Sequence, residues 1–146
     1  MKTLKFALLL FACAFAGTYM MAQQKTVQVG TEQGEKYAEI KFDTLSHDFG
    51  TFSEDEPMVK CSFRFTNVGT APLIIHQAIA SCGCTVPTYT KDPVKPGASG
   101  EIEVTYNGRG KFPGRFKKII TVRTNAKENG VVRLTIEGNM MSPAAE

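Results

Sequence analysis

An alternation of apolar and polar residues with a period of two runs through much of this chain, and it sets the class of fold. The alternation is complete over residues 59–66, where Val59, Cys61, Phe63 and Phe65 share one face. Successive side chains of a β-strand point to opposite faces of a sheet, so this pattern predicts a half-buried strand. No segment carries a sustained helical period. The sequence therefore predicts an all-β fold.

Shorter segments of the same kind, separated by turns, predict further strands at residues 38–42, 47–52, 73–79, 101–106, 116–124 and 132–137. About seven short strands in one domain favour an immunoglobulin-like β-sandwich of Greek-key type. Residues 73–79 are apolar on both faces and predict a central strand. Residues 87–100 contain three prolines and predict an irregular stretch, while Gly50 predicts a bulge.

The core of this sandwich must be built without the tryptophan and inter-sheet disulfide of antibody domains, because the chain has no tryptophan and no cysteine on its late strands. The inward positions of the predicted strands have to fill it instead. They are Phe42, Phe63, Phe65, Ile75, Val104, Ile120, Leu134 and Ile136.

The first residues have the order of a secretory signal peptide, with a basic start, an apolar run at residues 6–16 and small residues before Ala22. We expect a signal peptide at residues 1–22, a flexible tail at residues 23–37 and the immunoglobulin-like domain at residues 38–141. The apolar run is shorter than the roughly 20 residues of a membrane span, and no later segment is long enough. A lipoprotein site at Cys13 is disfavoured, because Phe11 is bulky for such a site and the chain stays apolar beyond it. The protein is therefore predicted to be secreted, to the periplasm or the cell surface.

The charge balance argues against a nucleic-acid binder. The chain has 17 Lys and Arg against 14 Asp and Glu, and loss of Lys2 and Lys5 with the signal peptide leaves 15 against 14, a net charge of +1. A basic cluster surrounds Phe112, and we interpret it as a solvated hairpin tip that Glu101 and Glu103 offset across strands. An acidic polymer or a membrane surface is the functional alternative. The cluster consists of Arg109, Lys111, Arg115, Lys117 and Lys118.

The mature chain keeps three cysteines, of which Cys82 and Cys84 flank Gly83. The pair has three interpretations: a disulfide that closes a tight loop, a thiol–disulfide exchange site, or a soft-metal site such as one for Cu(I). Cys61 is interpreted as a small core residue, with a bond to one of the pair as the alternative. Under the metal interpretation only Cys61, His76 and His47 could add a ligand, and His76 is the one assigned. Otherwise His76 is interpreted as a surface or hydrogen-bonded histidine, and His47 as the cap of a turn. The structural disulfide is the favoured interpretation.

Several motifs together resemble a known family. They are Asp48-Phe49-Gly50-Thr51, Phe63-Arg64-Phe65-Thr66-Asn67-Val68-Gly69, Ala71-Pro72-Leu73-Ile74-Ile75, Ser81-Cys82-Gly83-Cys84-Thr85, Pro96-Gly97 and Thr124-Asn125. The chain resembles, from about residue 40 to residue 140, the secreted bacterial family catalogued as domain of unknown function fifteen seventy-three. The resemblance implies an immunoglobulin-like fold related to modules of ciliary and centrosomal proteins and of pilus chaperones. It implies no activity.

The chain shows no nucleophile–base pair, phosphate-binding glycine loop or paired carboxylates that would predict an enzyme. The sequence predicts a non-catalytic binding or structural module of the cell envelope, without a cofactor. Its partner is an unidentified protein or envelope component, and an edge strand could bind it. The alternative function is a periplasmic Cu(I)-binding or thiol-redox protein that uses Cys82 and Cys84.

Overall fold

Eight β-strands and no helix make up the fold in the computed structural model, which describes residues 34–142. The strands are β1 (Ile40–Phe42), β2 (Ser46–Ser53), β3 (Met58–Asn67), β4 (Ile75–Ala80), β5 (Thr85–Tyr89), β6 (Ser99–Asn107), β7 (Gly114–Thr124) and β8 (Val131–Met141). The all-β prediction is confirmed. The described residues contain no helix that is long and apolar enough to cross a membrane.

The strands form an immunoglobulin-like sandwich of two four-stranded sheets. One sheet has the order β1-β3-β6-β5, and the other has the order β2-β8-β7-β4. All pairs are antiparallel except β2 with β8, which run parallel. Four strands, β1, β5, β2 and β4, therefore lie at sheet edges.

The eighth strand is β5, which falls in the stretch predicted to be irregular. Pro87 lies within it and is paired with Val104 of β6. Proline has no backbone N–H to donate to a neighbouring strand. It therefore fits an edge strand, where one side of the backbone has no neighbour. The prediction correctly kept Pro87 out of a central strand but wrongly kept it out of every strand.

The prediction that residues 73–79 form a central strand is wrong, because β4 is an edge strand that pairs only with β7. Its apolar residues serve different purposes. Leu73 lies before β4 and forms an isolated bridge with Val94, and both residues are buried. Ile79 faces outward and is 49% exposed. An apolar run on both faces thus reflects a buried loop and an exposed edge rather than a strand covered on both sides.

The core lies between the two sheets and contains the residues that the alternation predicted. Seven of the eight predicted positions are buried, and Phe42 is half-buried with its ring centroid 5.5 Å from that of Phe65. The prediction omitted other fully buried side chains. They include Leu73, Ile102, Val122, Met140 and the polar Asn67.

The predicted irregularity at Gly50 is confirmed. The register between β2 and β8 shifts between Asp48 and Thr51, and Gly50 has a φ of 66°. The Asp48 carboxylate accepts a hydrogen bond of 2.8 Å from the Gly50 N–H. Glycine adopts this left-handed conformation without the steric cost of a Cβ, which explains a bulge at this position.

Several predictions about the N-terminal part of the chain concern residues before residue 34. The predicted signal peptide, the lipoprotein alternative at Cys13 and most of the predicted tail lie outside the described residues. Of the predicted tail, residues 34–37 are described, and the Tyr37 carbonyl accepts hydrogen bonds from Thr70 N at 2.7 Å and Ala71 N at 2.8 Å. The domain boundaries stay predictions.

Candidate functional site

Residues 81–84, here called the cysteine turn, carry the chain from one sheet to the other. β4 ends at Ala80, and β5 begins at Thr85 in the opposite sheet. Ser81 N donates to the Ile119 carbonyl of β7 at 2.9 Å, and the Cys84 carbonyl accepts from Asn107 N of β6 at 2.8 Å. The turn is therefore anchored to both sheets.

Cys82 and Cys84 are joined by a disulfide across this turn, with their Cα atoms 5.3 Å apart. Both residues are half-buried, and the buried Thr85 hydroxyl lies 3.6 Å from Cys82 Sγ and 3.9 Å from Cys84 Sγ. So small a ring removes little entropy from the unfolded chain, about 1.5 kcal/mol. The bridge therefore shapes the turn more than it stabilises the domain.

Gly83, between the two cysteines, is not among the glycines with positive φ, and a Cβ at this position would have no atom within 4 Å. Neither conformation nor space explains the glycine.

Cys61, the proposed third partner, is a free thiol in β3 and is buried. It is paired with Val104 of β6 and belongs to the core. Burial raises the pKa of the Cys61 thiol from its ordinary 9.0 to about 11, because the thiolate would lose hydration. In the structure Cys61 is therefore a residue of the core.

We expect native Cys61 to resist alkylation at pH 8 and to react once denaturant unfolds the chain. Because the folded state holds the thiol proton up to about pH 11, while the unfolded thiol loses it near its ordinary 9.0, the free energy of unfolding falls as the pH rises between those values. Urea titrations across this range measure the fall. It should be smaller in Cys61→Ala, and rapid labelling of the native thiol would contradict the buried position.

The metal interpretation has no third ligand beside the pair in the described part of the chain. His76 is exposed on the edge strand β4, and His47 is exposed with its ring against Phe49, 4.7 Å between centroids. Residues 34–142 contain no group of three His, Cys, Asp or Glu placed to hold a metal ion. A metal role for Cys82, Cys84 and His76 stays a prediction.

Three connections between the sheets meet at one end of the sandwich, here called the crossover end. They are the β2–β3 loop (residues 54–57), the cysteine turn and the β6–β7 loop (residues 108–113). Gly108 N donates to the Pro57 carbonyl at 2.8 Å, and Asn107 N donates to that of Cys84. Hydrogen bonds therefore tie the β6–β7 loop to the β2–β3 loop, and the last residue of β6 to the cysteine turn.

An aromatic cluster closes the core at the crossover end. Phe116 of β7 stacks on Tyr106 of β6, with ring centroids 3.9 Å apart and an angle of 6° between the planes. Phe52 of β2 packs edge-on against both rings, 5.9 Å from Phe116 and 6.4 Å from Tyr106. Such contacts hold the start of β7 firmly on the opposite sheet.

The basic cluster does not form a hairpin tip, because β6 and β7 belong to different sheets. Glu103 pairs instead with Lys60 of β3 at 3.6 Å, and Lys117 pairs with Glu137 of β8 at 3.2 Å. The predicted offset by Glu101 and Glu103 is therefore wrong. Glu103 and Lys117 are each paired with a residue on the neighbouring strand of their own sheet.

Phe112 is the most exposed large apolar side chain in the described part of the chain. It lies in the β6–β7 loop between Lys111 and Pro113 and is 97% exposed. The sequence predicted the basic cluster but not this exposure. The available signal was a single aromatic residue inside a loop rich in glycine and cations.

A family model described as "Protein of unknown function (DUF1573)" matches residues 40–140. No curated protein matches the chain.

Similar solved structures support the fold. A protein of unknown function from Porphyromonas gingivalis W83 has a TM-score of 0.61 at 16% identity, over 71% of this chain and 47% of that chain. This chain therefore spans about half of that protein. PapD-like domain 7 of human CEP192 has a TM-score of 0.59 at 12% identity, over 73% of this chain and 88% of that chain. At these identities the likeness shows the fold alone.

Proposed function

The chain belongs to the DUF1573 family, whose function is unknown, and we propose that it is a non-catalytic binding module of the cell envelope that engages its partner at the crossover end. The observation that carries this proposal is Phe112, 97% exposed at the end where three inter-sheet connections meet. The envelope location rests on the predicted signal peptide.

An exposed phenylalanine in a short anchored loop is suited to binding. Removing such a side chain from water contributes about 1.5–3 kcal/mol, and Pro113 beside it limits the entropy lost when the loop is held. Arg109 and Lys111 precede it in the loop and line a shared cleft with Glu54 and Asp55 of the β2–β3 loop. An apolar anchor within a rim of mixed charge is the usual anatomy of a protein-binding surface.

Two groups at the crossover end support a binding role rather than a catalytic one. They are the aromatic stack of Tyr106 and Phe116 in the core and the disulfide of the cysteine turn, which backbone hydrogen bonds anchor. These groups supply rigidity, which lowers the entropy lost on binding.

Site-specific photocrosslinking tests the proposal. A photoreactive phenylalanine analogue at Phe112, in protein exported by cells, should give one specific crosslinked envelope component. The matched control is the same analogue at Val131, which should give no crosslink. Val131 is 53% exposed and begins β8, at the end of the sandwich away from the crossover end. No product at Phe112, or the same products at both positions, would contradict the proposal. The Phe112→Ala variant should keep its stability within about 0.5 kcal/mol.

A further inference from the structure

β7 is much longer than the strand beside it. It has 11 residues and β4 has 6, and the paired positions of β4 on β7 run only from Ile120 to Thr124. β8 covers the other side of β7 from Gly114 onward. Residues 114–118 of β7, here called the open edge, therefore have no strand on their β4 side among residues 34–142.

The direction of the free backbone groups follows from the last bonds of the β4–β7 ladder. The Ile119 carbonyl accepts a hydrogen bond from Ser81 N at 2.9 Å, and Ile119 N donates one to the Ser81 hydroxyl at 3.2 Å. Backbone groups of a strand alternate between its two neighbours. The N–H and C=O groups of Lys117 and Arg115 must then point to the same side as those of Ile119, where a further strand could bind them.

The cysteine turn is the reason that β4 stops where it does. Past Ser81 the chain leaves the line of β4 and reaches β6, where the Cys84 carbonyl accepts from Asn107 N. The disulfide between Cys82 and Cys84 keeps this departure within four residues. Because the cysteine turn ends β4 at this point, residues 114–118 of β7 have no neighbouring strand on that side in the described part of the chain.

The open edge is rigid and positively charged. Phe116 holds it to the opposite sheet through the stack on Tyr106. Lys117 is matched by Glu137, but Arg115 and Lys118 form no ion pair within the described residues. Basic side chains on an edge strand discourage pairing with another basic strand and favour an acidic one.

We propose that the open edge binds an extended acidic segment of a partner protein by β-strand addition, with the added strand continuing the line of β4 antiparallel to β7. This inference rests on the proposed binding function and names its partner class. Acidic side chains at alternate positions of the added strand lie opposite Arg115 and Lys117. An apolar residue beyond them is placed to contact Phe112, which lies two residues before β7 begins.

The test uses the mature protein labelled with ¹⁵N and a fluorescent peptide with glutamate at alternate positions and valine or threonine between them. The expected result is saturable binding, weakened at least about tenfold by high salt or by lysine in place of glutamate. The Arg115 and Lys117 amides should gain protection from hydrogen exchange in the complex. Insertion of proline into the middle of the peptide should abolish binding, because the added strand then loses a donor.

Variants distinguish the open edge from the rest of the strand. Arg115→Glu with Lys117→Glu should weaken binding at least about tenfold, whereas Arg123→Glu, on the same face at the end of β7 that β4 covers, should leave it unchanged. Cys82→Ser with Cys84→Ser should also weaken binding, because the turn is then free to move over the open edge. Equal binding of the lysine peptide, or no change in protection at residues 115 and 117, would overturn the proposal.

Other occupants of the open edge would give different results. Protection of these amides that grows with protein concentration would assign the open edge to a second copy of the chain. Protection that disappears when residues 23–33 are deleted would assign it to this chain's own N-terminal segment. Either result overturns the partner proposal. If the peptide fails while the Phe112 crosslink forms, the binding function stands and only the strand-addition proposal is wrong.

Discussion

Replacing Phe63 with alanine is expected to lower the free energy of unfolding by about 3–5 kcal/mol. Phe63 lies in β3, paired with Ile102 of β6, and is 1% exposed. The substitution removes most of a buried aromatic side chain and leaves a cavity that the two closely packed sheets cannot fill by moving together. Since a domain of this size is typically stable by about 5–15 kcal/mol, the loss is a large share of the total.

Urea denaturation of the mature protein measures this effect. The midpoint should fall with little change in slope, because the surface exposed on unfolding is nearly the same. Phe112→Ala is the matched control: it makes the same chemical change at a side chain that is 97% exposed. Similar midpoints for the two variants would show that Phe63 does not pack as described.

The alternation of side chains was sufficient to predict the strands and most of the core. Phe63 and Phe65 of β3 and Leu134 and Ile136 of β8 were predicted to face inward, and all four are buried. This succeeds because a strand of period two has only two faces, and one of them must carry the apolar residues. The choice is local, so a short segment contains the information needed to make it.

The neighbours of each strand could not be read in the same way. β4 was predicted to be central and lies at an edge, and the β6–β7 loop was predicted to be a hairpin although it joins different sheets. Which strands pair depends on contacts between residues far apart in sequence, and alternation within one strand does not encode them. The eighth strand, β5, was omitted because Pro87 was read as a strand breaker rather than as an edge residue.

The candidate site shows the same division. Cys82 and Cys84 were predicted to lie in a loop that leaves a strand, and the disulfide lies there. The open edge was not predicted, because it exists only where β4 ends before β7 does. The exposure of Phe112 likewise depends on how the β6–β7 loop is anchored to its neighbours. Both features are properties of the assembled sandwich rather than of a motif.

Asn67, the last residue of β3, carries the second large expected effect. Its side chain is completely buried. Its Nδ2 group donates to the carbonyls of Ala71 at 2.8 Å and Val94 at 2.9 Å. Its Oδ1 atom accepts from Gly69 N at 3.0 Å and, at 3.5 Å, from Glu39 N. One side chain therefore satisfies backbone groups of the segments that approach the end of β3.

Asn67→Ala should lower the free energy of unfolding by about 3 kcal/mol, because the variant loses four hydrogen bonds to backbone groups, each of which contributes about 0.5–1.5 kcal/mol. Asn67→Asp keeps the size of the side chain and tests whether hydrogen bonding is the cause. A buried carboxylate can accept from Gly69 N but cannot donate to Ala71 and carries an unpaired charge, so it should be at least as harmful near pH 7.

Acid distinguishes this explanation from a loss of packing. The buried aspartate should have a pKa above that of the unfolded chain, so the folded state binds a proton that the unfolded state still lacks, and stability relative to the wild type rises as the pH falls toward about 4. The protonated group can again donate one hydrogen bond. Urea midpoints of Asn67→Asp and the wild type between pH 7 and 4 measure this difference. A gap between the two proteins that does not change with pH would show that the lost hydrogen bonds of Asn67 are not what destabilises the variant.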